Sequence, residues 1–361
     1  SKEHNIEFNE KDLDDIFSKP RPLIVDNEII YDENDNPLNQ EEFSVENGSI
    51  KYADIGYVGW LNDDTKREEL INNNFYKGKI FLGIGDMTEE VKKSIELHAL
   101  HILDRCNNPY EWEQTKEPQK KLEEWLVNNN AENGNYWDNK QGLVYGMVQS
   151  GKTASMIALM GLAHCAGYKL LIVLSGDKTS LRNQTQKRIN DAFKLRSNGS
   201  PKGHQENIQS ITELVQDYSD ATQNQNNGLE VFNENLRDKN TIIICIKKNN
   251  PNLTRLYNHL NEVKQHHLNE FNFETDLKTI IIDDEADYAS QNTNRHDTSA
   301  IHNSITKIRT LLPQNTYVAY TATPQACLGA DPKKLVGYPK HFIWLLDPFR
   351  DEDGKTTSYL G

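Results

Sequence analysis

Cysteine is scarce in this chain, and long apolar stretches are missing altogether. Only four cysteines occur in 361 residues. Cys106, Cys165, Cys245 and Cys327 lie far apart with no C-x-x-C pairing, which argues against a disulfide framework or a cysteine-built zinc site and points to a reducing, cytoplasmic setting. No apolar run reaches the roughly eighteen residues that a membrane-spanning helix needs. The first residues, Ser1-Lys2-Glu3-His4-Asn5, are polar and lack the apolar stretch of a secretory signal. Positive charge is also in deficit: 40 Lys plus Arg stand against 54 Asp plus Glu, a formal charge of −14. A polycationic, histone-like mode of nucleic-acid binding is therefore excluded, because it draws its affinity from counterions displaced by Lys and Arg. A local basic groove remains open.

The length suggests about two domains of ~150 residues. Residues 1–118 read as a smaller α+β region. Leu23-Ile24-Val25, Glu28-Ile29-Ile30-Tyr31 and Ser49-Ile50-Lys51-Tyr52-Ala53 read as short strands, and Asn34-Asp35-Asn36-Pro37 is a turn signal. Val91, Ile95, Ala99, Ile102 and Leu103 recur at helical spacing and predict a helix over 88–103. A further helix is expected over 119–128, followed by an Asn-rich link.

From Gly142 onward the pattern changes to short, continuously apolar runs separated by amphipathic stretches, as strands buried on both faces of a parallel sheet require. Strands are expected at 143–145, 169–174, 241–246, 279–282, 316–320 and 342–346, and helices at 152–166, 181–195, 253–263 and 300–311. A polar insertion interrupts the pattern at about 197–240. Within it Ile208, Ile211, Leu214, Val215 and Tyr218 suggest one helix, and 222–228 a loop.

Gly146-Met147-Val148-Gln149-Ser150-Gly151-Lys152-Thr153 matches G-x-x-x-x-G-K-[ST] between an apolar strand and a helix. Glycines let backbone N–H groups converge on phosphate oxygens, and the helix that follows, beginning Lys152-Thr153-Ala154, aims its positive end at the same charge. Chance alone produces the pattern in a chain of this length in roughly one case in a hundred. ATP and Mg²⁺ are the implied ligands, with Lys152 on the β and γ phosphates and the Thr153 hydroxyl on the metal.

Thr279-Ile280-Ile281-Ile282 runs into Asp283-Asp284-Glu285-Ala286-Asp287. Carboxylates at the carboxyl end of a buried strand lie where nucleotides bind in α/β folds. One must hold Mg²⁺ and a second must orient or deprotonate the attacking water. Asp284 is assigned to the metal and Glu285 to the water, with Asp283 left open as an alternative metal ligand. The two elements together predict a RecA-like P-loop ATPase lobe, a parallel sheet between helices, over 119–361.

Asp284-Glu285-Ala286-Asp287 spells DEAD, and Tyr320-Thr321-Ala322-Thr323-Pro324 is similar to the Thr-Ala-Thr motif of superfamily 2 helicases. The Thr321 and Thr323 hydroxyls are expected to bond Asp287 or Glu285 and so report the nucleotide state; the alternative is a strand-end turn whose hydroxyls cap a helix. Lys178, Arg182, Lys187, Lys247 and Lys248 follow strand ends and are candidates for a local electropositive groove holding DNA phosphates.

Residues 142–154, 181–188, 282–287 and 320–324 together resemble the Z-one domain family of proposed endonucleases, as do Ile102-Leu103-Asp104-Arg105, Asn108-Pro109 and Trp137-Asp138. The similarity covers roughly residues 95–361. Proteins of that kind are bacterial, carry a helicase-like ATPase core and are often encoded beside MORC-type ATPases, methyltransferases or nucleases in phage-defence loci. The resemblance thus implies an ATP-driven, DNA-processing or DNA-sensing role in antiviral defence, with such proteins as partners. The family's core resembles two RecA-like lobes, whereas this chain ends soon after Thr-Ala-Thr; a fragment that binds ATP and hydrolyses it slowly is the expectation. A nucleotide-gated scaffold that recruits a partner ATPase or nuclease, and a metal-dependent nuclease carried by residues 1–118, are the competing functions. Asp86 with Glu90-Val91-Lys92 is a weak nuclease candidate, since a helix points Glu and Lys two apart to different faces. His98 with His101, and His259 with His266 and His267, offer metal-binding pairs, but no further ligand is placed beside them and satisfied or exposed histidines are the favoured reading.

Overall fold

The computed structural model describes residues 24–25, 28–29, 44–46, 49–51, 60–61, 64–85, 87–110, 139–146, 151–196, 200, 207–212, 228–265, 271–287, 300–312, 314–328, 336 and 339–346. The chain divides into two compact units, Ser1–Gly59 and Trp60–Gly361. The first contains two small antiparallel hairpins: β1 (Ile24–Val25) with β2 (Glu28–Ile29), and β3 (Ser44–Glu46) with β4 (Ser49–Lys51). The helix expected over 88–103 lies against the helix that follows the phosphate-loop motif, within the second unit.

In the second unit, α1 (Asp64–Ile71) and α2 (Glu89–Asp104) precede the sheet. The Thr88 hydroxyl caps α2 by accepting from Val91 N at 3.4 Å, and Glu89 and Glu90 in the first turn complement the helix dipole. The sheet comprises β5 (Gln141–Gly146), β6 (Leu170–Ser175), β7 (Ile208–Ser210), β8 (Thr241–Lys247), β9 (Thr279–Asp284), β10 (Asn315–Thr321) and β11 (Phe342–Leu346). Its order is β11-β5-β10-β9-β6-β8-β7 and every pairing is parallel. Between the strands run α3 (Lys152–Cys165), α4 (Thr179–Ala192), α5 (Gly228–Arg237), α6 (Asn250–Gln265) and α7 (Ala300–Leu311). This is the RecA-like α/β architecture.

The central strands are apolar throughout because both faces are covered. Ile242, Ile244, Ile246 and Ile281 pack under α5, α6 and α7, together with Phe232, Leu253, Leu256 and Ile308. The alternate residues of the same strands, among them Ile243, Cys245, Ile280 and Ile282, are equally buried and point to the opposite face, where α3 and α4 pack. The insertion at 197–240 differs from expectation: Ile208 belongs to an edge strand, not a helix, and a helix forms at 228–237. Ile208 and Ser210 are buried beside β8, so alternation on a strand outweighed the helical spacing that the more distant apolar residues suggested. Residues 119–128 and 213–227 lie outside the described set.

Candidate active site

The end of β5 and the start of α3 bracket the phosphate-loop motif. Gly146 closes β5 and Gly151 precedes α3 with φ of 76°, a left-handed conformation that favours glycine. From there α3 starts, with Ser155 N donating to Gly151 O at 2.9 Å. Lys152 reaches back across the loop, its Nζ donating to Gly146 O at 2.9 Å. Ala154 is buried, and Thr153 is half-buried. Ser155 Oγ lies 3.3 Å from Tyr320 Oη, which ties α3 to β10. Gln149 and Ser150, with Met147 and Val148, fall outside the described residues.

The acidic segment reaches the same rim. Tyr145 pairs with Thr321 and Asp284 pairs with Tyr320, so β10 alone separates the end of β5 from that of β9, a distance of roughly 10 Å. Lys152 feels Asp284, Asp287 and Glu285 electrostatically; burial pulls its ammonium below the usual lysine range while those carboxylates push it back up. Asp284 is raised to about 6, chiefly by burial and then by the neighbouring Glu285 charge, against the pull of Lys248 and Lys152.

The strand's pleat decides between the two consecutive aspartates. Asp284 is on the face of Ile280 and Ile282, toward α3. Asp283 shares the opposite face with Ile281 and is fully buried, where its carboxylate accepts the Tyr317 hydroxyl and pairs with Lys248 Nζ at 2.9 Å. It is thereby committed to the interior. Glu285 turns outward: its backbone is left-handed at φ of 55°, its side chain is exposed, and its Oε2 stands 3.2 Å from where a Cβ would sit on Gly176 at the end of β6. Asp287 accepts from Thr321 Oγ1 at 2.5 Å and from Thr323 Oγ1 at 2.6 Å. Thr321 Oγ1 also accepts from Thr323 N at 2.9 Å, so the threonine turn and the carboxylate are locked together.

The basic candidates separate by burial. Lys178 and Lys187 are exposed on or beside α4, and Lys247 Nζ donates to Thr179 Oγ1 at 3.1 Å at the surface. Arg182 and Lys248, expected in a surface groove, are both buried, at 2 % and 0 % exposure. Arg182 faces inward because α4 packs that side against β6 and β8. Lys248 follows Ile242, Ile244 and Ile246 on the alternate-residue face of β8 and points beneath the sheet's end. Glu90 and Lys92 stand on α2, with Lys92 Nζ bonded to Leu82 O at 3.2 Å.

One residue of this region was missed from sequence, and the burial of a second, Lys248, was not foreseen. Arg188 Nη1 donates to Thr153 Oγ1 at 3.2 Å, a contact between distant segments that no local pattern announces. Lys248 had a signal: a buried strand that ends in Asp283 calls for a buried cation on the same face. The donor set suits Mg²⁺. Thr153 and Asp284 offer oxygen donors, and the adjacent carboxylates of Asp284 and Glu285 repel each other in a partly desolvated rim, a disposition that a hard cation relieves.

No curated protein matches the chain. A profile of the SWI2/SNF2 ATPase family matches residues 119–334, a span that contains β5 to β10, the phosphate-loop motif, the acidic strand end and the threonine turn. With that span exceeding half of the chain, the protein belongs to the SWI2/SNF2 ATPase family.

Proposed function

We propose that the chain is an ATP-driven motor or switch that acts on DNA, and that it serves bacterial antiphage defence as the Z-one resemblance implies. The supporting observation is that β10 alone separates the end of β5, which leads into the phosphate-loop motif and Lys152, from the acidic end of β9, so the two meet at one rim of the sheet. Family membership supplies the ATPase chemistry.

Each residue has a role that follows from its position. Loop amides and the Lys152 ammonium receive the phosphates at the positive end of α3. Thr153 and Asp284 hold Mg²⁺, which when bound neutralises charge on the β and γ phosphates. Glu285, exposed beside Gly176, orients the attacking water and accepts its proton. Asp287 carries the nucleotide state to Thr321 and Thr323 through its two hydrogen bonds. Lys178, Lys187 and Lys247 face solvent around α4 and β8 and are retained as phosphate contacts for the DNA strand.

The deciding experiment is ATP turnover by the protein with and without single- and double-stranded DNA. DNA-stimulated turnover is expected. Turnover indifferent to both DNAs removes the motor reading and leaves a nucleotide-gated scaffold. Lys152→Ala is expected to abolish nucleotide binding, and Glu285→Gln to retain bound ATP without hydrolysis; wild-type turnover by Glu285→Gln takes the water-activating role away from that residue.

A further inference from the structure

Behind the acidic rim, on the face turned away from the nucleotide site, lies a buried charge pair to which the reading above gives no role. Lys248 is completely buried, and its ammonium makes three polar contacts: Asp283 Oδ1 at 2.9 Å, Asp284 O at 2.7 Å and Glu285 O at 2.6 Å. Two of its N–H donors go to the backbone of the residues whose side chains form the acidic rim. The Asp283 carboxylate neutralises the charge as an ion pair, with no hydrogen bond at its Oδ1, and Tyr317 holds that carboxylate from its other oxygen.

The backbone at this point needs holding. Glu285 is one of three non-glycine residues with positive φ among the described residues, and left-handed backbone is strained for a side chain with a Cβ. Such a conformation persists only where its surroundings over-determine it. The two carbonyl bonds from Lys248 do so, while Ala286 N donates to Tyr320 O at 3.0 Å on the far side of the turn. The pleat sends Asp284 toward α3, and the turn sends Glu285 over Gly176. The relative placement of the two carboxylates thus depends on a turn fastened from behind.

We infer that Lys248, neutralised by Asp283, is a positioning residue for the metal–nucleotide site: it fixes the Asp284–Glu285 turn so that the Asp284 carboxylate faces Thr153 and Lys152. This inference rests on the ATPase reading of the rim. Lys248 touches no phosphate; it acts through the backbone of its neighbours, so its loss is felt in Mg²⁺-dependent binding more than in phosphate binding itself.

The test measures affinity for a fluorescent ATP analogue, mant-ATP, once in Mg²⁺ and once in EDTA, together with thermal unfolding. The variants are Lys248→Met, Asp283→Asn, their combination, and Lys152→Ala. In Lys248→Met the affinity in Mg²⁺ falls by about 10- to 100-fold, the scale of losses when a supporting partner of a metal ligand is removed, while the affinity in EDTA changes less than about threefold. Asp283→Asn leaves both carbonyl bonds in place and keeps Mg²⁺-dependent binding within about threefold of wild type, at lower thermal stability. The double variant buries no unpaired charge, so it regains thermal stability yet still lacks the Mg²⁺-dependent gain in affinity. Should Lys248→Met fail to fold, the double variant alone decides the matter. Recovery of Mg²⁺-dependent binding in the double variant reduces the pair to a structural ion pair and overturns the inference. If wild type does not bind mant-ATP, or Lys152→Ala binds it as wild type does, the nucleotide site itself is refuted and the positioning role with it.

Discussion

Replacing Thr321 and Thr323 by valine tests whether the threonine turn is a coupling element or a helix cap. Valine matches threonine in shape, so the change removes the hydroxyl with little loss of packing, though at position 321 it leaves Thr323 N without its acceptor. Thr321 is 1 % exposed and donates to Asp287 Oδ1 at 2.5 Å, while Thr323 is exposed and donates to Oδ2 at 2.6 Å. Hydrogen bonds to a charged acceptor contribute about 1.5–3 kcal/mol when shielded from water. Asp287 is partly exposed, so the low end applies to Thr321, giving a loss of about 1.5 kcal/mol, and solvent competition reduces the Thr323 share to about 0.5 kcal/mol. Urea denaturation reads those losses. The functional consequence is separate: with both hydroxyls gone, Asp287 has lost its link to the turn, so DNA stimulation of ATP turnover is expected to fall by tenfold or more while basal turnover holds within about threefold. If the double variant loses stability as calculated but keeps full DNA stimulation, the hydroxyls serve as caps and the coupling argument fails.

Part of the acid sensitivity should originate at the buried histidines around Trp344. His98 is buried and accepts from Trp344 Nε1 at 3.1 Å through Nδ1, while His101 stacks on the same indole at 5.1 Å and Arg105 lies 4.8 Å from its ring centre. Burial holds His98 down to about 4 and, with the nearby arginines, His101 to about 3. The unfolded chain takes up these protons near pH 6.5, so the stability is complete above that value and is lost as pH falls toward 4; for His98 the loss reaches about 3 kcal/mol. His98→Gln is expected to flatten the fall in urea midpoint between pH 7 and 5, and an unchanged slope counts against it. Asp284, raised to about 6, contributes with the opposite sign, which the comparison of variant with wild type cancels. Gly142→Ala would drive a Cβ into the Phe342 ring, because β5 and β11 pair there; a loss of about 1–3 kcal/mol in urea unfolding is expected, partly relieved by Phe342→Leu, and an unchanged midpoint would contradict the close approach.

The sheet was legible because parallel strands buried on both faces leave an unbroken apolar signature. The strands at 143–145, 241–246 and 279–282 emerged at 141–146, 241–247 and 279–284. The phosphate-loop motif and the acidic strand end were legible for a related reason: each is a short contiguous string whose chemistry requires those residue types in that order. The strand at 208–210 and the helix at 228–237 were not, since three residues carry too little periodicity and the polar surroundings hid them. Burial of Arg182 and Lys248 was illegible in composition alone, where a cation after a strand reads as surface.

The order of motifs along the chain, the strands that carry them and the kinds of ligand they suit are properties of the sequence by itself. Tertiary structure decided which of two adjacent aspartates lies on the side of Lys152, which lysines meet solvent and which one fastens a strained turn from behind. The cause is geometric: a pleated strand sends neighbouring side chains to opposite faces, and only the packing of the helices decides which face holds the phosphate loop and which becomes interior.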